Sequence, residues 1–188
     1  MAQDTATVTA EVREFAATAP GRPAEANRSS CTIHYLAGYP HVGRQLAAWL
    51  HQRRPHAYTA ERALALIEGY ANRDCLPLAL FAGDEDLNPL GMVSLIRSKT
   101  PLREPAAFLL ALYVAPAHRK RGIGMALCRR ASAEAQRLGW SAVAAYTTDS
   151  EAFYQRIGWR TVMRAIITSQ PGDHRVWFME NALLPPAQ

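Results

Sequence analysis

The most informative stretch of this chain is VAPAHRKRGIGMAL, from Val114 to Leu127. It closes an apolar run, breaks at Pro116, passes through three consecutive cations and two spaced glycines, and continues with helical apolar spacing. A helix start offers backbone N–H groups without intrahelical partners and a partial positive charge. Glycine lets an anion come close to the backbone. The stretch therefore predicts a site that grips a diphosphate at the N-terminus of a helix.

The positive charge of the chain is concentrated around this stretch. The 188 residues carry a net charge of +5. Residues 97–137 hold nine Lys/Arg and two acidic residues, so this segment is +7 and the remainder is −2. Such a patch fits a polyanionic small molecule, and it also fits nucleic acid. The aromatic residues that a single-strand binder interleaves with its cations are missing from it. A polyanionic small molecule is therefore the expected ligand, and nucleic-acid binding is the less favoured alternative.

The composition predicts one cytoplasmic domain. We expect a flexible N-terminal extension over residues 1–30, a folded domain over 31–182 and a loose tail over 183–188. No run reaches the roughly 18 apolar residues of a membrane span, and the amino terminus lacks the features of a signal peptide. The three cysteines show no C-x-x-C spacing, and His51 and His56 are not four residues apart. These patterns argue against a disulfide framework and against a metal site.

Apolar periodicity predicts the element order β-α-α-β-β-β-α-β-α-β-β. The predicted strands cover 32–36, 76–82, 90–96, 107–114, 142–146, 161–168 and 175–180, and the predicted helices begin near His41, Thr59, Gly122 and Asp149 or Ser150. The nearly continuous apolar run over 107–114 predicts a strand buried on both faces. The β-α-β unit over 107–146 is expected to be parallel, and the earlier strands antiparallel. Thr59 and either Asp149 or Ser150 are the expected helix caps.

The glycine spacing separates several kinds of phosphate loop. A P-loop needs four residues between its glycines, followed by Lys-Ser/Thr, and a dinucleotide fingerprint needs a third glycine where Leu127 stands. The pattern present is R-x-x-G-x-G, from Arg119 to Gly124, after a strand that ends Tyr-Val-x-Pro. A second block, A-F-Y-Q-R-I-G-W, lies at 152–159. Together the two blocks resemble the GNAT superfamily of acetyl-CoA-dependent N-acetyltransferases over about residues 32–181.

The resemblance implies a fold and a cosubstrate. The expected fold is a mixed α/β fold with a central, mostly antiparallel sheet of six or seven strands, a splayed parallel pair formed by the fourth and fifth strands, and flanking helices. The implied cosubstrate is acetyl-CoA, without a metal, and the partner is an amine acceptor. The implied coenzyme-binding residues are Leu112, Tyr113, Val114, Arg119, Lys120, Arg121, Gly122, Ile123, Gly124, Met125 and Thr147. Many family members carry an Asn shortly after the fifth strand, where this chain has Thr147, Thr148 and Asp149.

The resemblance also implies two catalytic positions. Tyr154 matches the tyrosine that donates a proton to the leaving thiolate, and the backbone N–H of Leu112 matches an oxyanion donor. Packing between helix and sheet is the alternative for Tyr154. Helix capping and first-turn charge are the favoured roles for Asp149 and Glu151, although either carboxylate could orient the amine. Glu104 is a weaker candidate for the general base than a water relay or proton release to solvent.

The resemblance implies direct attack by a primary amine and leaves open whether that amine belongs to a small molecule or to a protein or peptide. Trp49 and Tyr70 could line the acceptor pocket, but packing on the sheet is the favoured role of both. The basic surface favours a neutral or acidic acceptor over a polycation. A non-catalytic acyl-CoA-binding module is the alternative from a different functional class, and both a monomer and a homodimer are open.

Overall fold

The structure, a computed structural model, describes residues 31–98, 106–169 and 172–183. The predicted extension over 1–30, the candidate base Glu104 and tail residues 184–188 lie outside the described residues. The described residues fall into two compact units. The larger unit comprises residues 31–143 with 182–183, and the smaller unit is Ala144–Asn181. No helix in the described part of the chain is long and apolar enough to cross a membrane.

The helices and strands follow the predicted order. The strands are β1 (Thr32–Tyr35), β2 (Leu78–Gly83), β3 (Pro89–Ser98), β4 (Ala106–Val114), β5 (Ala142–Thr147), β6 (Arg160–Ser169) and β7 (Gly172–Ala182). The helices are α1 (Gly43–Arg53), α2 (Ala60–Gly69), α3 (Ile123–Arg137) and α4 (Glu151–Arg156), with single 3-10 turns at Leu36–Gly38, Pro40–Val42 and Pro116–His118. Thr59 caps α2 as predicted, because its hydroxyl accepts a hydrogen bond from the Arg62 N–H at 3.2 Å.

The sheet has seven strands in the order β1-β2-β3-β4-β5-β7-β6. The first four pair antiparallel, as do β6 and β7. β5 begins in the larger unit and continues into the smaller one. A mixed sheet of this size with flanking helices confirms the predicted fold class. The β4-α3-β5 connection brings a helix start directly behind the carboxyl end of β4, where open α/β sheets bind their ligands.

Helices cover both faces of the sheet in the larger unit. Leu46 of α1 and Ile67 of α2 are fully buried and pack in one cluster with Phe81 and Met92. The neighbouring Gly91 faces the other way, since a Cβ built on it would lie 3.3 Å from Cδ1 of Leu127 on α3. Successive strand residues point to opposite faces, so α1 and α2 lie on one side and α3 on the other.

A buried ion cluster ties α3 to the far end of β1. The Glu134 side chain is only 5% exposed and accepts hydrogen bonds from Nε of Arg130 and of Arg137, each at 2.7 Å. Burial raises the pKa of Glu134, but hydrogen bonds from Tyr35 and these two arginines outweigh it and leave the pKa below the ordinary 4.5. Arg137 also donates to the Arg73 carbonyl. The cluster therefore holds a charged carboxylate inside the fold.

The smaller unit has its own apolar cluster. Ala165 of β6 packs with Val176 and Phe178 of β7, and the Tyr146 ring lies 6.3 Å from the Phe178 ring. The predicted turn near 171–173 includes Pro171, which is outside the described residues. Pairing of β6 with β7 confirms the two C-terminal strands that the alternating apolar pattern predicted.

One local prediction was wrong, and another was right in position but not in the expected hydrogen bond. Residues 106–109 of β4 are buried, but all five residues of 110–114 are partly exposed, so only the first half of the strand is covered on both faces. An apolar composition does not distinguish a covered strand end from one that borders a cleft. Ser150 occupies the N-cap of α4 without a capping bond from its side chain. Instead, the Thr147 hydroxyl accepts the Ser150 N–H at 3.0 Å and the Asp149 N–H at 3.4 Å.

Candidate functional site

The predicted anion loop leads from β4 into α3 through a strained path. Lys120 has a φ of +62° and Gly122, the N-cap of α3, has a φ of +80°. No side chain caps the helix, and a Cβ built on Gly122 would meet no atom within 4 Å. The backbone N–H groups of the first helical turn therefore follow a left-handed glycine that has free space on its Cβ side. This arrangement presents N–H donors to an anion at a helix N-terminus.

Cations surround this helix start. Nε of Arg119 donates to the Val114 carbonyl at 3.0 Å, which fastens the loop to the end of β4. Nη1 of Arg121 lies 3.3 Å from Nδ1 of His118. Within the described residues, neither Arg119 nor Lys120 forms an ion pair with a carboxylate. The loop can therefore contribute positive charge to an anionic ligand.

A β-bulge interrupts β4 just before the loop. Ser94 of β3 pairs with Leu110 and Met92 pairs with Tyr113, so two residues of β4 lie opposite one residue of β3. Within the bulge Ala111 has a φ of +54°, a conformation that costs a residue with a Cβ free energy. A bulge leaves its extra residue outside the hydrogen-bond ladder. The candidate oxyanion donor Leu112 belongs to this bulge.

The close approach of β3 supports the same end of β4. A Cβ built on Gly91 would lie 2.6 Å from the Tyr113 carbonyl oxygen. Only glycine fits such a separation without a backbone shift. Gly91 was not among the predicted site residues. Its signal in the sequence is a glycine inside an otherwise apolar strand.

The Tyr113 ring forms the centre of a second arrangement that the sequence did not indicate. The Trp49 ring of α1 lies 4.9 Å away, and the guanidinium carbons of Arg53 and Arg119 lie 5.7 and 5.9 Å from the ring centroid. Nη1 of Arg53 also donates to the Leu112 carbonyl at 3.4 Å. These contacts join the last turn of α1 to the bulge and to the anion loop.

The smaller unit contains the other predicted site residues. Thr147 is 8% exposed at the end of β5, and its hydroxyl is used at the start of α4. Tyr154 is 5% exposed on α4, with the Phe153 and Trp159 rings at 5.2 and 5.1 Å. The Trp159 N–H donates to the Tyr154 carbonyl at 3.0 Å. The Y-x-x-x-x-W spacing therefore closes the C-terminal end of α4 and fixes the Tyr154 ring.

The remaining candidates have local partners. Glu151 lies in the first turn of α4, as predicted, but its carboxylate does not cap the helix: it accepts from the Thr161 hydroxyl at 2.5 Å and from Arg164 at 3.4 Å, both on β6. Trp49 and Tyr70 are at most 9% exposed and belong to the α1–α2 core, also in line with packing. Burial, with a smaller effect from Tyr58, raises the pKa of Tyr70 to about 12.

The structure thus places the predicted residues in two sets. Leu112, Tyr113 and Val114 of β4 adjoin the loop that carries Arg119, Lys120, Arg121, Gly122, Ile123, Gly124 and Met125, all within the larger unit. Thr147 and Tyr154 belong to the smaller unit. Among the described residues no group of three or more His, Cys, Asp or Glu could hold a metal ion.

Comparison with known proteins gives the same fold. The aminoglycoside 6′-N-acetyltransferase of Enterococcus faecium is 20% identical, with 84% of this chain and 99% of that chain covered and a TM-score of 0.62. An aminoglycoside 6′-N-acetyltransferase solved with coenzyme A is 19% identical (84% and 99% covered, TM-score 0.64). The protein yncA of Salmonella typhimurium, solved with its cofactor acetyl-CoA, is 17% identical (85% and 98% covered, TM-score 0.66).

No curated protein sequence is significantly similar to the chain. The family model described as the acetyltransferase (GNAT) family matches residues 43–159. The match spans α1 through Trp159, and so contains the β4 bulge, the anion loop and the Tyr154 block. The chain belongs to the GNAT acetyltransferase family.

Proposed function

We propose that the protein is an N-acetyltransferase that moves the acetyl group of acetyl-CoA to a primary amine by direct attack. The observation that carries the proposal is the uncapped start of α3, where Gly122 is left-handed and Arg119 and Lys120 form no ion pair with the described carboxylates. Helix-start N–H groups without a side-chain cap, together with cations that lack a carboxylate partner among the described residues, fit a pyrophosphate. The donor arm would then follow β4 toward the bulge at Ala111.

The proposed chemistry needs few groups. The amine nitrogen bonds to the acetyl carbon, the carbonyl oxygen gains negative charge, and the carbon–sulfur bond breaks. The backbone N–H of Leu112 is proposed to hold the oxygen, since a bulge residue is free of the strand ladder. Tyr154 is proposed to give its proton to the departing sulfur. The proton lost by the amine passes to solvent through water, because β4 carries no carboxylate.

A covalent acetyl-cysteine route through Cys128 is disfavoured. Cys128 lies on α3 near the loop, but it is fully buried, and burial raises the pKa of its thiol to about 12. A thiol in that state supplies almost no thiolate nucleophile near neutral pH. The burial of Cys128 therefore favours direct transfer between donor and amine.

Two assays test the proposal. Calorimetric titration with acetyl-CoA measures donor binding, and thiol release across a panel of primary amines measures transfer. We expect binding together with amine-dependent release, and mass spectrometry should show an acetylated product that hydroxylamine does not cleave, as an amide requires. Binding without amine-dependent release would instead support the non-catalytic acyl-CoA-binding module. Binding of oligonucleotides in place of acetyl-CoA would support the nucleic-acid alternative.

A further inference from the structure

The end of α1 carries an unassigned cationic corner beside the β4 bulge. The α1–β4 corner consists of Trp49, Arg53 and Tyr113, all within the larger unit. Trp49 and Arg53 are one helical turn apart, and both contact the Tyr113 ring. The Trp49 and Tyr113 ring centroids are 4.9 Å apart, and the guanidinium carbon of Arg53 lies 5.7 Å from the Tyr113 centroid. The Trp49 side chain is buried, whereas Arg53 is exposed. The corner is therefore an aromatic surface that holds the Arg53 guanidinium where it is exposed, and Arg119 contacts the same Tyr113 ring.

The charge of Arg53 is not compensated within the described residues. None of the ion pairs found there involves Arg53. The side chain of Arg53 donates a single hydrogen bond to the residues that the structure describes, and this bond to the Leu112 carbonyl is long at 3.4 Å. A guanidinium has five N–H donors in a planar fork that matches a carboxylate. The side chain is thus anchored at the bulge and keeps donors for an anion.

We propose that Arg53 binds a carboxylate of the acceptor, so that the enzyme acetylates small amines that also carry a carboxylate. This inference rests on the proposed function, which puts the reacting thiolester at Leu112, the residue whose carbonyl Arg53 contacts. An acceptor held there by its carboxylate has its amine delivered to the bulge. The excess of positive charge around the anion loop also favours an anionic acceptor, because it attracts negative charge.

The coenzyme phosphates are a poorer fit for Arg53. Arg119 is anchored at Val114 and Arg53 at Leu112, two strand residues away, which corresponds to about 7 Å along β4 at about 3.3 Å per residue. The Tyr113 ring contacts both guanidinium groups. The loop cations therefore lie at the helix start that fits a pyrophosphate, while Arg53 lies at the bulge.

Matched acceptor pairs test the inference. Each pair is an amino acid and its carboxamide, which differ only in the negative charge. We expect the wild type to prefer the carboxylate member, and Arg53→Gln to lose about 10- to 100-fold in kcat/KM for it, as expected for a charged hydrogen-bonded pair. Activity toward the carboxamide and the acetyl-CoA dissociation constant should stay within about twofold of wild type. Arg44→Gln is the control, since it removes an exposed arginine from the first turn of α1.

Several outcomes would overturn the inference while the proposed function stands. These are equal losses for both members of a pair, no preference in the wild type, or weaker acetyl-CoA binding in Arg53→Gln. If no amine is acetylated, the proposed function fails and Arg53 is judged by calorimetry on the protein loaded with coenzyme A. If the wild type binds the carboxylate member selectively and Arg53→Gln abolishes that binding, the assignment of Arg53 as a carboxylate-binding residue is supported. Equal or absent binding of both members would overturn it.

Discussion

At the scale of single residues, Tyr154 is held by its own neighbours. Its ring is buried between Phe153 and Trp159, and its carbonyl accepts the Trp159 N–H at 3.0 Å. A general acid needs a fixed position, because a displaced proton donor loses much of its effect. The local packing of α4 fixes the Tyr154 ring through its aromatic neighbours and through its backbone carbonyl.

Tyr154→Phe should therefore separate catalysis from folding and binding. The ring and its aromatic contacts remain, while the dissociable proton is lost. We expect kcat to fall by about 10- to 1000-fold, with the acetyl-CoA dissociation constant nearly unchanged. Steady-state kinetics and calorimetric titration measure the two quantities. Tyr58→Phe removes the same hydroxyl from the loop between α1 and α2 and should leave kcat near wild type; unchanged turnover in Tyr154→Phe would remove Tyr154 from the mechanism.

Local and distant residues differ in how well the sequence indicates them. The anion loop and the Tyr154 block could be recognised because each is a short motif on consecutive residues. Arg53 could not, since its contact with Leu112 joins positions 59 residues apart. The positive φ of Ala111 has no local signal either, because alanine shows no preference for that conformation. Both depend on how β4 pairs with β3 and packs against α1.

At the scale of elements, α3 begins and ends at left-handed glycines. Gly122 has a φ of +80° and Gly139 a φ of +85°, and a Cβ on either would meet no atom within 4 Å. Alanine at either position should therefore cost only backbone strain, about 1–2 kcal/mol in the free energy of unfolding. The two glycines form a matched pair at opposite ends of one helix.

The matched pair predicts different effects on ligand binding. Gly122→Ala and Gly139→Ala should lower the urea unfolding midpoint by similar amounts. Only Gly122→Ala changes the residue in front of the open helix amides, so we expect it to weaken acetyl-CoA binding by about 10-fold or more, roughly 1.4 kcal/mol. Calorimetric titration of both variants gives the comparison. Equal affinities in the two variants would contradict the assignment of the loop.

The Glu134 cluster gives a stability prediction for the contact between α3 and β1. The folded pKa of Glu134 is below its ordinary value, so the carboxylate contributes stability above the unfolded pKa of about 4.5. That contribution is lost as the pH falls through the folded pKa. Glu134→Gln should lower the free energy of unfolding by about 2 kcal/mol near pH 7, because it removes charge-assisted hydrogen bonds from a buried site.

Urea unfolding near pH 7 and at acidic pH checks this contribution. The difference in stability between wild type and Glu134→Gln should shrink as the pH is lowered below about 4.5. Glu68→Gln is the control, since Glu68 is exposed on α2, and its effect should stay within about 0.5 kcal/mol. A constant difference between wild type and Glu134→Gln at every pH would show that the carboxylate charge is not the source of stability.

Elements were predictable to the extent that their pattern is local. Thr59 and Gly139 set helix ends through capping and a left-handed turn, and both follow from residue type. Strand β4 was recognised as a strand, but its exposed second half was not, because an apolar run is the same for a covered strand and a cleft wall. Thr147 as the acceptor at the start of α4 depends on how β5 ends, which residue type alone does not encode.

At the scale of the whole molecule, charge is distributed in a way that suits a small polyanion. The segment 97–137 is +7 in a chain of +5, and it contains the anion loop. The proposed donor-binding residues of β4 and the loop belong to one compact unit. A donor that binds only the folded chain should raise its stability by mass action. Specific binding of the donor can therefore be detected as an increase in the stability of the folded chain, without knowledge of the acceptor.

Acetyl-CoA at about 100 times its dissociation constant should raise the free energy of unfolding by about 2.7 kcal/mol. For a chain of this length the melting temperature should rise by about 5–11 °C. The gain should persist in Tyr154→Phe, where binding is intact, and shrink at the same donor concentration in Gly122→Ala. A duplex oligonucleotide is the polyanion control. It should change the melting temperature little, because attraction to the cations alone does not provide the hydrogen bonds that a pyrophosphate accepts from the helix-start amides. An equal shift with the oligonucleotide would contradict the coenzyme assignment and favour a nucleic-acid partner for the basic patch.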